Sequence, residues 1–132
     1  MITQSWSEDG GKTWTPARPL HVAGAPPHVI RHSSGALVCV YGDRLPPFGQ
    51  RAMISRDDGQ TWDADYVLRD LDYQDLSFYD NGMRRASDLG YPASAELPDG
   101  SLFTVYYQRL RPAEHPSILW TRWQWPEEHQ AE

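Results

Sequence analysis

Five side chains are of types that could contribute to a binding or catalytic site. Guanidinium groups bind carboxylates through paired hydrogen bonds, and Arg44, Arg51 and Arg109 lie at the ends of predicted strands. Tyr91 carries a phenol with an ordinary pKa of about 10, so it needs a neighbouring carboxylate to take its proton. Asp88 lies just before it and is a candidate general acid. Each residue also has a structural interpretation, as a packed tyrosine or as a solvated charged side chain.

Two further residues belong with these candidates. His28 follows two prolines and is a candidate acid or base, or alternatively a structural histidine. Asp43 is a second candidate general acid. The other histidines lack the spacing of metal ligands, and Cys39 is the single cysteine, so the sequence predicts no metal, no cofactor and no internal disulfide.

The charge of the chain excludes some partners. Its formal net charge of −6 over 132 residues argues against a surface for nucleic acid or an anionic membrane, since phosphates would be repelled. No run approaches the roughly eighteen apolar residues of a membrane span. The first residues lack the features of a signal peptide, which predicts a cytoplasmic location if Met1 is the native start.

Two octapeptides repeat along the chain. Residues 7–14 and 55–62 both follow the pattern S-x-D-x-G-x-T-W, and Trp14 and Trp62 are 48 positions apart. Such spacing is typical of propeller blades. Ser and Asp side chains hydrogen-bond turn backbone, Gly supplies a positive φ, and the terminal Trp is expected to bury its ring between sheets. A calcium loop is not expected, because the spaced ligands and final Glu of an EF-hand are missing.

A second repeat aligns residues 27–44 with residues 92–109. It pairs Gly35 with Gly100 and Tyr41 with Tyr106, and each half predicts a strand, a tight turn and a second strand. The apolar runs of the second strands favour burial on both faces. The predicted strands are Ile2–Ser5, Thr13–Pro19, His28–His32, Ala36–Gly42, Ala52–Arg56, Asp65–Leu68, Tyr91–Leu97, Ser101–Gln108 and Pro116–Gln124. Asp70–Leu89 is predicted to be an enlarged loop.

The octapeptide resembles the Asp box of sialidases and related β-propellers. Its structural positions here are Ser7, Asp9, Gly11, Trp14, Ser55, Asp57, Gly59 and Trp62. The resemblance implies an all-β fold and a partial propeller of about two and a half four-stranded antiparallel blades. Residues 1–20 would end one blade, 21–70 would form a complete blade, 71–126 would hold a loop and three strands, and 127–132 would be a tail.

The same resemblance extends to a candidate site. The segment from Asp88 to Gly100 is similar to the sialidase segment in which a nucleophilic Tyr precedes an L-P-D-G hairpin, which implies that role for Tyr91. In the family, arginines hold the carboxylate of sialic acid, which suggests Arg44, Arg51 and Arg109. His28 would join them as a substrate-binding group. The active site of such propellers lies on the face opposite the Asp boxes, where all of these residues are expected.

The leading expectation is a fragment of a sialidase-like glycoside hydrolase for acidic sugars, inactive by itself. One alternative is a non-catalytic Asp-box propeller that binds glycan or protein. Another is a hydrolase or lyase for uronate polysaccharides, with His28 and Tyr91 as acid and base. The expected partner is a carbohydrate, and uncovered strand edges predict self-association.

Overall fold

The chain folds into antiparallel β-sheets. The computed structural model describes residues 1–45, 47–71, 79–80, 83–84, 88–111 and 114–124. Within these ranges the strands are β1 Thr3–Gln4, β2 Arg18–Pro19, β3 Pro27–Arg31, β4 Leu37–Asp43, β5 Gly49–Ser55, β6 Asp63–Asp70, β7 Tyr79–Asp80, β8 Met83–Arg84, β9 Gly90–Glu96, β10 Leu102–Gln108 and β11 Ser117–Trp123. The described residues include no helix, and so none that could cross a membrane. The predicted all-β class is confirmed.

The strands form two larger sheets and two short hairpins. The four-stranded sheet has the order β3-β4-β5-β6, and the three-stranded sheet has the order β11-β10-β9. The pairs β1-β2 and β7-β8 each stand alone. Because neighbours in sequence pair with each other, every connection within these sheets is a local one.

The core lies on both faces of the four-stranded sheet. On one face Cys39, Tyr41 and Met53 pack with Ile2. On the other face Val38, Val40 and Ala52 are fully buried, together with Leu102 of β10. Burying each such valine contributes about 1.5–3 kcal/mol. The double coverage accounts for the unbroken apolar run in β4, and it fixes the three-stranded sheet against one face of its neighbour.

The structure corrects one predicted strand, and several predicted segments lie outside the described ranges. The predicted strand Thr13–Pro19 is wrong, because only Arg18–Pro19 pairs with β1. Its first part closes the preceding turn instead, where Thr15 N donates to Trp6 O at 2.8 Å. The hairpin β7-β8 lies within the predicted loop Asp70–Leu89, and the other residues from 72 to 87 lie outside the described ranges, as does the tail 127–132.

Both Asp boxes form the same hydrogen-bonded turn. In the first, Asp9 Oδ1 accepts from Ser7 Oγ and from Thr13 N, each at 2.9 Å. In the second, Asp57 Oδ1 accepts from Ser55 Oγ and from Thr61 N, each at 2.8 Å. The side-chain hydrogen bond from each threonine is the main cause that lowers the pKa of both aspartates to about 2. The carboxylates therefore stay ionised and keep the turns closed above that pH.

The terminal tryptophans of the boxes differ in burial. Trp62 packs against the core around Met53, as expected for this position. Trp14 is 62% exposed, so the prediction that its ring is buried between sheets is wrong for the described residues. Its Nε1 instead donates to Gly11 O at 3.1 Å. The reason is that no second large sheet of the described part lies beside the first box.

The matched serines of the boxes provide a test of burial. Ser55 is buried and Ser7 is not, although each oxygen accepts from a glycine N–H, Gly59 at 2.6 Å and Gly11 at 2.7 Å. We expect Ser55→Ala to lower the free energy of unfolding by about 1–3 kcal/mol, because the N–H of Gly59 loses its partner away from water. Ser7→Ala should cost less than about 1 kcal/mol, because water replaces the hydroxyl. Urea unfolding followed by tryptophan fluorescence measures both, and equal losses would contradict the prediction.

Strand direction divides the loops between two ends of the sheets. The Asp-box end holds both Asp boxes and the turns after β3 and β9, where Ser33 N donates to Glu96 Oε2 at 2.8 Å. The opposite end holds the carboxyl ends of β4, β6 and β10 and the start of β9. The expected sorting of turns by face follows from these alternating directions.

Candidate functional site

Four side chains form a cluster at the opposite end, where β4, β9 and β10 end or begin. Arg44 Nη2 donates to the hydroxyl of Tyr107 at 3.4 Å, and Asp88 is near enough to that hydroxyl to raise its pKa. The rings of Tyr91 and Tyr107 are 5.9 Å apart between centroids. Arg44 Cζ lies 5.6 Å from the centroid of the Tyr91 ring, within the range of a cation–π contact. Arg44, Asp88, Tyr91 and Tyr107 are called the Arg44 cluster below.

Two glycines allow the strands to approach closely enough to build the cluster. A Cβ on Gly42 of β4 would lie 2.8 Å from the Cα of Gly90 in β9. Gly90 pairs with Tyr107 of β10 across a register shift that follows Val105. The shift is an irregularity of the kind that redirects a side chain near the end of a sheet. Arg44, two residues beyond Gly42, is thereby placed over Tyr91 and beside Tyr107.

The electrostatics of the cluster keep Tyr107 protonated. Burial is the largest cause that raises the pKa of Tyr107, and the hydrogen bond and negative charge of Asp88 raise it further. The positive charge of Arg44 acts in the opposite direction. With a pKa raised above its usual range, the phenol is a hydrogen-bond donor at neutral pH. It is not a ready phenolate nucleophile.

Tyr91 has an uncommon backbone conformation. Its φ is +49°, in the left-handed region that bulky residues avoid, and its side chain is 65% exposed. A left-handed L-residue costs about 1–2 kcal/mol. Strain of this kind concentrates at functional sites, where it holds a side chain in a set orientation. Here it presents an aromatic ring to solvent beside a guanidinium group.

The backbone strain at Tyr91 predicts that a glycine variant is more stable than an alanine variant, the reverse of the usual order. At an ordinary strand position alanine is more stable than glycine, but at φ +49° we expect Tyr91→Gly to be more stable than Tyr91→Ala by about 1 kcal/mol. Both variants lose the same ring contacts, so their difference reports the backbone alone. Thermal and urea unfolding of the two variants measure this difference. A more stable alanine variant would show that Tyr91 is not strained.

Arg51 does not reach the Arg44 cluster. It lies on the sheet face that contains Tyr41 and is 5% exposed. Its Nη2 donates to Phe48 O at 3.0 Å and lies 3.2 Å from Asp70 Oδ1. These contacts tie the loop before β5 to the end of β6. The structure therefore shows a bracing contact for Arg51, and its predicted role in substrate binding stays a prediction.

The other predicted residues have separate surroundings. His28 Nδ1 accepts from Ser94 N at 3.2 Å, so this histidine links β3 to β9 within the sheets. Asp43 Oδ1 accepts from Leu45 N at 3.1 Å, in the turn after β4. Arg109 directly follows β10 at the same end as the cluster and is half-buried. The described residues contain no group of three His, Cys, Asp or Glu that could hold a metal ion.

Tyr107 is the member of the cluster that was not predicted from sequence. The second repeat pairs it with Gly42, and this alignment places both residues where neighbouring sheets approach each other. The alignment of Tyr107 with Gly42 was the sequence feature that could have indicated Tyr107 as a site residue. Sequence alone gave no reason to prefer Tyr107 over Tyr106, because the register shift that turns Tyr107 toward Arg44 is visible only in the structure.

Comparison with known proteins adds one structural neighbour. No protein-family model matches this chain, and no curated protein matches it. Among solved structures it is similar to a protein of unknown function from Dyadobacter fermentans DSM 18053, with 29% sequence identity and a TM-score of 0.70. The similarity covers 91% of this chain and 30% of that one, so this chain spans less than a third of the neighbour's length.

Proposed function

We propose that this chain is part of a sialidase-like glycoside hydrolase that acts on acidic sugars. In this proposal the four-stranded sheet is one blade of a β-propeller, and the β1-β2 pair and the three-stranded sheet belong to the flanking blades. The observation that carries the proposal is the Arg44 cluster, in which a guanidinium, a carboxylate and two aromatic rings meet at the end opposite both Asp boxes. The repeated Asp boxes support it as a second, independent feature.

Each member of the cluster has a role that fits an acidic sugar. Arg44 binds the carboxylate of the sugar, because guanidinium and carboxylate form strong charge-assisted hydrogen bonds. The exposed ring of Tyr91 packs against the apolar face of the sugar. Tyr107 donates a hydrogen bond, since its raised pKa keeps the phenol protonated. Together these groups bind and orient the ligand, and the expected nucleophilic role of Tyr91 remains part of the proposal.

A second candidate function is binding of acidic glycans without hydrolysis. It is favoured by the position of Arg51, which pairs with Asp70 and braces β5 against β6. Arg44 is then the predicted arginine that contacts both Tyr91 and Tyr107. Uronates carry the same carboxylate group, so the ligand of a uronate hydrolase or lyase would bind Arg44 in the same way. Both candidates require an acidic sugar at Arg44.

Binding to matched sugars tests the proposal. Methyl glycosides of N-acetylneuraminic acid, glucuronic acid and glucose are titrated into the chain, and the amide chemical shifts are followed by NMR. We expect both acidic glycosides to bind and to shift residues of the Arg44 cluster, whereas the neutral glucoside does not bind. Arg44→Gln should weaken binding at least tenfold, since a hydrogen bond between charged groups contributes about 1.5–3 kcal/mol.

Arg31→Gln is the matched control for this experiment. Arg31 lies at the Asp-box end, where it pairs with Asp58 on the surface, and the substitution changes the net charge by the same amount. It should leave the affinity unchanged. Equal weakening by both substitutions would mean that overall charge, and not a site at Arg44, controls binding. We expect no hydrolysis of the N-acetylneuraminic acid glycoside by this chain alone, so release of the sugar by it would favour the enzyme over the binding module.

A further inference from the structure

We infer that this chain assembles head to tail, with the outer face of one copy covering the open side of the next copy. The outer face is the side of the three-stranded sheet that points away from the four-stranded sheet. The open side is the side of the four-stranded sheet that carries Val29 and Leu37. The inference goes beyond the proposed function, because it concerns contacts between copies and requires no ligand.

A contact of this kind already occurs once within the chain. Val38 and Val40 of β4 are fully buried, and they pack with Leu102 of the three-stranded sheet. At the same interface Ser94 N donates to His28 Nδ1 at 3.2 Å, which joins β9 to β3. One face of the first sheet therefore receives the opposite face of the next sheet.

The outer face repeats the covered face of the four-stranded sheet. In the second repeat Val40 corresponds to Val105. Val40 lies opposite His28 in its sheet. Val105 lies opposite Ala93, the residue that corresponds to His28, so the pairing of the strands is kept. Val40 is fully buried whereas Val105 is 37% exposed, because no sheet of the described residues covers the outer face.

Apolar side chains from all three strands line the outer face. Phe103 stacks on Trp120 with the ring centroids 5.2 Å apart, so the aromatic part of this surface is already formed in the single chain. Trp120 and Ile118 are both exposed. The apolar side chains on this side are those of Ala93, Ala95, Phe103, Val105, Ile118 and Trp120. A contiguous exposed apolar surface marks a site of protein interaction.

The open side of the four-stranded sheet is the complementary surface. In the second repeat Leu37 corresponds to Leu102, the residue that packs with the valines inside the chain. Ile2, next to β1, covers this side over Met53 of β5. A cavity of about 260 Å³ remains there, and Leu37 and Val29 are among the residues that line it. Val29 is 51% exposed, so the part of this side over β3 is open to a second copy.

A second copy is the occupant that fits, because the two surfaces correspond in strands and pairing to the surfaces that already pack inside the chain. Ala93 takes the place of His28. Val29 takes the place of Ser94, so a hydrogen-bonded pair within the chain becomes an apolar pair between copies. Each copy has one outer face and one open side, on opposite sides of its stacked sheets. The contact is therefore heterologous and can repeat, which produces rings or open chains.

Sedimentation equilibrium over a dilution series of the chain tests the inference. We expect the mean mass of the wild type to rise with concentration. Ala93→Glu on the outer face and Val29→Glu on the open side should each abolish that rise, because the contact would bury a carboxylate without a partner. Both side chains are exposed in the single chain, so both variants should fold, which circular dichroism checks. Ala95→Glu and Val29→Lys provide a second variant on each surface.

Leu45→Glu is the matched control for these variants. Leu45 is also apolar and exposed, but it lies in the turn after β4 and belongs to neither surface. The substitution changes the net charge by the same amount as the test variants. It should assemble as the wild type does.

A mixture of Ala93→Glu with Val29→Glu separates head-to-tail assembly from other contacts. The first variant keeps its open side and the second keeps its outer face, so the mixture should form one-to-one dimers and nothing larger. A wild type that stays monomeric at every concentration would overturn the inference. Assembly of Val29→Glu alone would also overturn it, because outer faces would then pair with each other. Undiminished assembly of both variants would do the same, since it would indicate pairing through the edge of β11.

Discussion

Replacing Gly49 with alanine is expected to lower the free energy of unfolding by about 2–6 kcal/mol. Gly49 begins β5 with φ at +122°, a conformation that L-residues rarely adopt and that costs about 1–3 kcal/mol. A Cβ at this position would also lie 2.3 Å from the carbonyl oxygen of Arg69 and 2.9 Å from Nη1 of Arg51. Forcing this atom into packed backbone adds roughly 1–3 kcal/mol. Urea unfolding followed by tryptophan fluorescence measures the sum.

Gly35→Ala separates the two causes. Gly35 has a similarly positive φ of +92°, but a Cβ there would have no atom within 4 Å. We expect this control to cost only about 1–2 kcal/mol, which is the backbone penalty alone. If both variants lose the same stability, the close approach of β5 to β6 does not constrain Gly49.

Arg51→Gln is expected to cost about 2–4 kcal/mol of stability and to leave sugar affinity unchanged. The substitution removes a buried cation that donates to three backbone carbonyls and pairs with Asp70. Breaking a buried pair is costly because the partners are left unsatisfied, and the partial exposure of Asp70 places the effect below the upper limit of about 5 kcal/mol. Unfolding by urea measures the stability, and NMR titration with the acidic glycosides measures the affinity.

Arg44→Gln should show the opposite pattern. Arg44 is half-buried and has a single directional contact, so its loss should change stability little and affinity at least tenfold. The two variants therefore assign a structural role to Arg51 and a ligand-binding role to Arg44. If Arg51→Gln lowers the sugar affinity while the protein stays folded, Arg51 takes part in sugar binding, as its position in the sequence suggested.

The repeats predicted most of the fold because they encode local geometry. The S-x-D-x-G-x-T-W pattern specifies a turn whose donors and acceptors all lie within eight residues, and both turns form with the same bonds. The apolar runs in β4 and β10 predicted strands that pack against other sheets. The strand expected at Thr13–Pro19 failed because its residues close the Asp-box turn, which is a contact that propensity does not register.

The candidate site was less predictable because it depends on which way side chains turn. Arg44 and Arg51 both lie near the same loop, yet Arg44 follows β4 and bonds Tyr107 of the other sheet, whereas Arg51 pairs with Tyr41 and lies on the sheet face of that residue. Tyr107 enters the site through a register shift in β10. The contact of Arg44 with Tyr107 joins residues that are far apart in sequence, and no local pattern indicates it.

A crystal structure of this chain with a bound methyl glycoside of N-acetylneuraminic acid tests the central claim most directly. We predict that the sugar carboxylate lies within about 3 Å of a guanidinium nitrogen of Arg44, the distance of a charge-assisted hydrogen bond, and that the sugar ring packs on Tyr91. The hydroxyl of Tyr107 should remain bonded to Arg44. A sugar bound at the Asp-box end, or one whose carboxylate faces away from Arg44, would contradict the proposed site.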